Sequence, residues 1–370
     1  MFHFYLTVAY ILPNIYVFFR INYLFISKGH RLLYSGIYLL TAAIYPVSLI
    51  LPEEGMGFFM KMLSVAGGYL LAFFLYLFLC IILYDLFLLL NLAFKLLSAK
   101  IRKSFSFRSY TLSIMILLSA IIVVAGAINL NTIRVSKYEI KVPRRDSDID
   151  HLRIAFVSDL HLQQDTRPAF IEQFVRKVSA LDPDLMLYGG DMTEGDSENE
   201  STEAVESMLK QINARYGVYG VTGNHEFYGG QGNASFFRKA GIILLCDTML
   251  RIGNSFYLAG RYDQHYRKRK TAEEILGREP FDLPVIVVDH RPTELQEISL
   301  TGADVQFSGH THNGQLFPFN LITSSIYELG WGYKKIRNTH FFVSSGLRLW
   351  GPPVKTAGKS EIMVVDIYFI

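Results

Sequence analysis

An α/β domain preceded by an all-α membrane region is the fold class this sequence predicts, and three observations predict it. Hydrophobic residues make up 51% of the 370 residues, and the mean hydropathy of +0.24 is high for a wholly soluble chain. Charge is divided unevenly, with 9 Lys+Arg and 3 Asp+Glu up to residue 130 and 27 and 30 after it. From about residue 151, short apolar runs alternate with amphipathic stretches, the pattern of strands and helices in succession. The predicted organisation is a four-helix transmembrane domain over 1–130, a linker over 131–150 and an α/β domain over 151–370.

The membrane region is read from length. Crossing a hydrocarbon core takes roughly 20 apolar residues, and the stretches 4–26, 32–51, 65–94 and 112–130 meet that need. No Lys or Arg precedes Arg20, so the first stretch lacks the basic flank of a cleaved signal and reads as an anchor. An even number of spans puts both ends on one side. The first loop carries Lys28 and Arg31, and the third carries Lys95, Lys100, Arg102, Lys103 and Arg108; the second offsets Lys61 with Glu53 and Glu54. Basic short loops stay in the cytoplasm, so the large domain is expected outside it, as part of a multi-pass integral membrane protein. Arg134, Lys137, Lys141, Arg144 and Arg145 follow the last span and pull the other way. Arg20 and Asp85 lie in spans that cross in the same direction, near the same leaflet, and read either as an ion pair or as part of an ion or substrate path.

The net charge of +3 reflects the loops beside the apolar segments and gives no support to a nucleic-acid surface, so no nucleic-acid partner is expected. Cys80 sits in an apolar run and Cys246 in the polar half, which predicts neither a disulfide nor a thiolate metal site.

In the second half the expected strands are 152–158, 185–188, 218–222, 242–245, 285–288, 305–308 and 362–368, with helices over 168–180, opened by Pro168, and 201–212. The chemically capable residues follow these strands, where α/β sheets place their ligand sites. Asp159 and His161 lie in Ser-Asp-Leu-His; Asp191 ends Tyr-Gly-Gly-Asp; Asn224 and His225 lie in Gly-Asn-His-Glu; His290 lies in Val-Asp-His-Arg-Pro; His310 and His312 lie in Gly-His-Thr-His-Asn-Gly-Gln. Any one of these blocks is weak. Together they bring five of the ten histidines, two Asp and an Asn to strand ends, a donor set suited to two divalent first-row ions.

These blocks, in this order, resemble the calcineurin-like metallophosphoesterases over about residues 150–370. Gly260-Arg261-Tyr262-Asp263 and Ser345-Gly346-Leu347 with Trp350-Gly351-Pro352-Pro353 resemble the membrane-associated branch of that family. Asn313 in place of Gly, and Tyr188-Gly189 in place of Leu-Thr, depart from the pattern without removing a ligand. The resemblance implies an αββα sandwich. It implies Asp159, His161 and His312 on one metal, Asn224, His290 and His310 on the other, Asp191 bridging them, and His225 facing the scissile phosphate as a catalytic group. Manganese is the expected ion, with iron and zinc suited alike because no thiolate is offered.

Such a site is expected to hydrolyse a phosphodiester or pyrophosphate through a hydroxide held between the metals, on a membrane-associated or lipid-linked substrate, with membrane lipids as partners. Two alternatives stand beside it: a soluble nucleotide or nucleic-acid phosphodiesterase, and a non-catalytic membrane protein with a metal-binding domain. Asp289 and Glu226 adjoin expected ligands and are read either as groups that orient the rings or as ordinary hydrogen-bonding residues. Arg267, Lys268, Arg269 and Lys270 are read as receivers of an anionic head group or as a solvated loop. Phe317, Phe319, Trp331 and Trp350 are read as bilayer-facing or as core.

The loop charges lead to a topology prediction. A compartment-sensitive reporter fused after Ile370 is expected to give the extracytoplasmic signal; a cytoplasmic signal would reverse the orientation.

Overall fold

The structure, a computed structural model, describes residues 2–50, 57–162, 166–194, 200–228, 234–277 and 280–370. It divides into two units, Met1–Ile128 with Gly351–Thr356, and Asn129–Trp350 with Ala357–Ile370.

The first unit is helical: α1 (Phe2–Leu24), α2 (Arg31–Ser48), α3 (Phe58–Phe94), α4 (Ala99–Lys103) and α5 (Phe105–Leu130). Each of the four apolar stretches falls on one long helix. Among the described residues, α3 and α5 are long and apolar enough to cross a membrane; residue 51, which ends the second stretch, and Glu53 and Glu54 lie outside the described residues. α3 is apolar around its whole circumference, the pattern of a helix enclosed by a protein core or by a membrane. Tyr10, Tyr38, Tyr45 and Phe74 form the centre of the unit's core, and the hydroxyls of Tyr10 and Tyr38 donate to the carbonyls of Ala42 at 2.9 Å and Asn14 at 3.0 Å, so these phenols enter an apolar core with their polar ends satisfied. Arg20 and Asp85 do form an ion pair: Nε donates to Oδ2 at 2.9 Å and Nη2 to Oδ1.

The second unit runs β1 (Arg134–Val142), β2 (His151–Val157), α6 (Pro168–Leu181), β3 (Leu185–Tyr188), α7 (Glu200–Leu209), β4 (Val218–Gly220), α8 (Ala234–Lys239), β5 (Ile243–Leu244), β6 (Thr248–Ile252) and β7 (Phe256–Gly260). It continues with α9 (Ala272–Leu276), β8 (Val285–Val288), α10 (Leu295–Ile298), β9 (Val305–Ser308), α11 (Phe319–Ile326), β10 (Gly332–Ile336), β11 (Thr339–Val343) and β12 (Glu361–Phe369). Two six-stranded sheets result, in the orders β1-β12-β2-β3-β4-β5 and β10-β11-β9-β8-β7-β6. β2, β3 and β4 are parallel neighbours, as are β7, β8 and β9, so in each sheet several carboxyl ends open on the same edge.

Side-chain alternation along these strands sets the layers. Leu152, Ile154 and Phe156 of β2 and Leu185 and Leu187 of β3 pack on Phe256, Leu258, Ile286, Val288 and Phe307 of the other sheet. The opposite face of the first sheet, with Ala155, Val157, Met186 and Tyr188, takes Phe170, Phe174 and Val178 of α6 and Phe236 and Phe237 of α8. The outer face of the second sheet takes Ala272 and Leu276 of α9 and Leu295 and Ile298 of α10. Helices therefore cover both outer faces of two packed sheets. Strands buried on both faces read as continuous apolar runs, which is why β3 and β8 coincide with the stretches expected from the sequence; β9, Val-Gln-Phe-Ser, also coincides, with Gln306 and Ser308 buried between its two apolar residues and beyond them.

Residues 131–150, read as a linker, contain β1. It pairs in parallel with β12, Arg134 opposite Glu361 and Val142 opposite Phe369. Its mixed apolar and charged sequence, Arg-Val-Ser-Lys-Tyr-Glu-Ile-Lys-Val, is that of an edge strand, whose charges discourage further pairing.

Candidate metal centre

Three loops from the first sheet, after β2, β3 and β4, and two from the second, after β8 and β9, converge through close backbone approaches. The amide of Asp159 donates to Gly190 O at 2.9 Å and that of His161 to Asp191 O at 2.9 Å, joining the loops after β2 and β3. The amide of Gly309 donates to His290 O at 2.8 Å, joining those after β8 and β9. Between the sheets, the His310 amide donates to Asp159 Oδ1 at 3.0 Å. Glycine is required at two of these points. A Cβ on Gly223 would lie 2.2 Å from Asp191 Oδ1, and one on Gly309 would lie 2.4 Å from Asp159 Oδ2. Asp159, His161, Asp191, His310 and His312 all have φ between 43° and 69°, a left-handed conformation that costs a non-glycine residue about 1 to 3 kcal/mol. Five such residues on one small surface imply that the surrounding loops over-determine the backbone there.

The side chains meet in three overlapping groups, in each of which the donor atoms lie within 4.8 Å of one another: Asp159, His161 and His312; His161, Asp191 and His225; Asp191, His290 and His310. The Nε2 atoms of His161 and His312 are 3.1 Å apart. Asp191 Oδ2 lies 3.8 Å from His161 Nε2 and 3.2 Å from His290 Nε2, between two histidine sets. His290 is oriented by its other nitrogen, since Nδ1–H donates to Gly189 O at 2.7 Å and leaves Nε2 toward Asp191. Asn224 donates through Nδ2 to the Tyr228 hydroxyl at 2.9 Å, while its Oδ1 is buried without a hydrogen-bond partner among the described residues. An unpaired buried acceptor costs about 1 to 3 kcal/mol, and a cation beside Oδ1 would satisfy it. Neutral imidazoles, carboxylates and an amide oxygen form a donor set that divalent metal ions fit.

Electrostatics agree with that fit. Burial would push the Asp191 carboxyl up, but the neighbouring His290, and then His161 and His225, hold it well below the usual range. Burial would likewise push His290 down, yet Asp191 and Asp159 pull it up to about 10. Asp159 is raised, chiefly by burial and by Asp191, despite His290 beside it. His310 is lowered to about 3 by burial and by His290 and Arg291, and stays neutral. Protonated imidazole thus stands in for positive charge that the carboxylates require.

Two residues that sequence reading missed or left open organise the site. Glu194 accepts from His161 Nδ1 and from His225 Nδ1, each at 2.6 Å, and these bonds bring its carboxyl down to about 2 although burial opposes them. It lies three residues beyond Asp191 in Asp-Met-Thr-Glu, and no spacing rule connects it to either ring. Glu226, fully buried, binds no histidine; it accepts from the amides of Asp191, Met192, Thr193 and Gly223 at 2.6 to 3.1 Å and so fastens the loop after β3 to the one after β4. Asp289 pairs with Arg261 at 2.8 Å and Arg269 at 2.5 Å. Of the basic run after Asp263, then, Arg269 is engaged internally, while Arg267, Lys268 and Lys270 are exposed. Trp350 lies with its ring 6.4 Å from that of His225, whereas Phe317, Phe319 and Trp331 are partly exposed and Trp331 donates to Glu361 at 2.7 Å.

The model of the family described as calcineurin-like phosphoesterase matches residues 152–314. The chain is 30% identical over 243 residues to a metallophosphoesterase of Aquifex aeolicus, covering 64% of this chain and 92% of that protein. It is 28% identical over 275 residues to the transmembrane protein with metallophosphoesterase domain of Danio rerio, covering 70% of this chain and 62% of that protein. A match at 32% identity over 103 residues, 28% of this chain and 31% of the other, is to UDP-2,3-diacylglucosamine pyrophosphatase LpxG of Chlamydia muridarum. With a metallophosphoesterase of Helicobacter pylori, 31% identical over 57% of this chain, the chain spans 58% of the relative's length. Fold, site and relatives define a metallophosphoesterase. The chain belongs to the calcineurin-like phosphoesterase family, whose members are generally hydrolases that use divalent metals.

The electrostatics carry a prediction about pH. A ligating His290 must be neutral, whereas the metal-free protein holds it protonated below about pH 10, so metal binding releases a proton and tightens as pH rises, by about tenfold per unit for each proton released. Calorimetric titration of metal-stripped protein with Mn²⁺ in two buffers of different ionisation enthalpy is expected to show net proton release, and affinity higher at pH 8 than at pH 6. Binding without proton release would contradict the assignment of His290.

Proposed function

We propose that residues 151–370 hydrolyse a phosphodiester or pyrophosphate with two divalent metal ions, manganese first among them, and that residues 1–130 form a four-helix membrane domain holding this activity outside the cytoplasm. The observation that carries the reading is the position of Asp191, one carboxylate within 4.8 Å of donor atoms from two separate histidine sets. On this reading Asp159, His161 and His312 hold one ion, Asn224, His290 and His310 hold the other, and Asp191 belongs to both. Two bound ions would supply Lewis acidity toward the phosphoryl oxygens and an activated water.

The protein's own part is orientation and proton transfer. His225 is positioned twice, by its amide donating to Asp191 Oδ1 at 2.8 Å and by its Nδ1 bonded to Glu194 at 2.6 Å. Glu194 fixes the tautomer, so Nε2 is the atom that carries a proton to the leaving oxygen as the P–O bond breaks and water adds to phosphorus. A complete donor set held in left-handed backbone favours catalysis over a binding-only role, since strain of this kind persists at sites that use it.

For the substrate, the apolar helices α3 and α5, the relative named a transmembrane protein and the relative named a UDP-2,3-diacylglucosamine pyrophosphatase support a lipid-linked phosphate ester or anhydride, such as a nucleotide-activated glycolipid precursor. A panel of lipid and soluble phosphoesters presented to the metal-loaded full chain is expected to show turnover of the lipid-linked compounds; turnover of soluble nucleotides with the lipids left intact would favour the soluble phosphodiesterase reading.

The role of His225 has a sharper test. His225→Ala is expected to keep its metal content and lose about 10² or more in turnover on substrates with basic alkoxide leaving groups, while nitrophenyl esters, whose leaving group needs little protonation, are spared. Glu194→Gln is expected to show the same selectivity with a smaller loss. Equal losses on both substrate types would contradict the acid role, and loss of one metal equivalent would make His225 a ligand.

A further inference from the structure

The helical unit holds charge that the hydrolase reading does not use. Arg20 of α1 is committed to Asp85 of α3, and the Tyr16 hydroxyl donates to the same carboxylate. These three residues line an open cavity of about 360 Å³ together with Arg102 of α4 and the aliphatic side chains of Leu88, Leu89 and Leu92. With Arg20 neutralised by Asp85, the cation left over in this cavity is Arg102. Its Nε is buried and has no hydrogen-bond partner among the described residues. Asp85, already paired with Arg20, is the nearest acidic residue in sequence; no Asp or Glu occurs between residues 86 and 130, whereas Lys95, Lys100, Lys103 and Arg108 flank Arg102. The same cavity has an apolar side, since Leu89 is 64% and Leu92 70% exposed. A ligand here meets a guanidinium at one end and aliphatic surface at the other.

We propose that this cavity binds the phosphate of an anionic lipid. Arg102 takes the phosphate oxygens through its fork of N–H donors, a geometry suited to that anion, and Leu89 and Leu92 lie along the first acyl methylenes. Free inorganic phosphate shares the oxyanion chemistry and has no use for the leucines, so the apolar side selects the lipid. The inference rests on the membrane placement of α3 and is independent of the metal centre; its failure would leave the hydrolase reading intact, and the reverse.

The test is native mass spectrometry of the full chain equilibrated in micelles with phosphatidylglycerol and phosphatidylcholine. The wild-type chain is expected to retain phosphatidylglycerol in preference to phosphatidylcholine, and Arg102→Gln to lose that preference by about tenfold or more. A diffuse surface attraction would treat every basic residue near the membrane alike and cost Lys100→Gln as much as Arg102→Gln, whereas a site at Arg102 leaves Lys100→Gln, on the same short helix and outside the cavity, close to wild type. Leu89→Ser, at a position 64% exposed, is expected to weaken retention with the charge unchanged and the unfolding temperature close to wild type, and carries the test independently should Arg102→Gln disturb α4. Wild-type retention in both Arg102→Gln and Leu89→Ser, equal losses in Arg102→Gln and Lys100→Gln, or displacement of the lipid by millimolar inorganic phosphate would each overturn the proposal.

Discussion

A carboxylate as buried as that of Asp191, 1% exposed, costs several kcal/mol to bury unless positive charge lies beside it. Asp159 and Glu226 are fully buried close by, which compounds the cost. Much of the second unit's loop structure follows from meeting that requirement. Histidines reach Asp191 from the loops after β2, β4 and β8, while amides of four residues surround Glu226. Gly223 has no side chain because Asp191 fills the space. The left-handed conformations at Asp159, His161, Asp191, His310 and His312 are tolerated because hydrogen bonds between loops fix the backbone on several sides. A cluster arranged so that protonated histidine substitutes for positive charge is one in which metal ions can take the same positions.

Much of this was legible in the sequence because the site is local to strand ends. A strand buried on both faces reads as an apolar run, and the residue just past it is where the chain turns toward the sheet edge, so Asp159, Asp191, Asn224, His290 and His310 were found by following strands. The parts that were not legible depend on geometry between distant segments. Glu194 bridges His161 and His225 across 33 and 31 residues, and its role is visible only when both rings are in place. Glu226 and Asp289 beside expected ligands left two readings open, support for the rings or ordinary hydrogen bonding; the structure gives them backbone amides and arginines. β1 escaped notice because edge strands carry charge and lack the continuous apolar signal, and the edge strands β6 and β10 likewise mix charged and apolar residues without an apolar run.

In the helical unit length and polarity were legible, and the pairing of Arg20 with Asp85 follows from the cost of leaving either charge alone among apolar helices. That pair also isolates Arg102 as unmatched charge. One chain therefore joins apolar helices suited to lipid with a loop-built acid, imidazole and amide cluster suited to metal and phosphate, a combination that a membrane-associated phosphate ester or anhydride would require of its hydrolase.

The central claim is that one carboxylate serves two metal ions, and the most direct measurement is metal stoichiometry in Asp191→Ala. Elemental analysis of full-length protein prepared without chelator is predicted to give close to two equivalents of divalent metal for the wild type and a loss of both in the variant, with the unfolding temperature used to confirm that the variant is folded. A folded variant that still binds two equivalents, or loses only one, would contradict the shared role of Asp191.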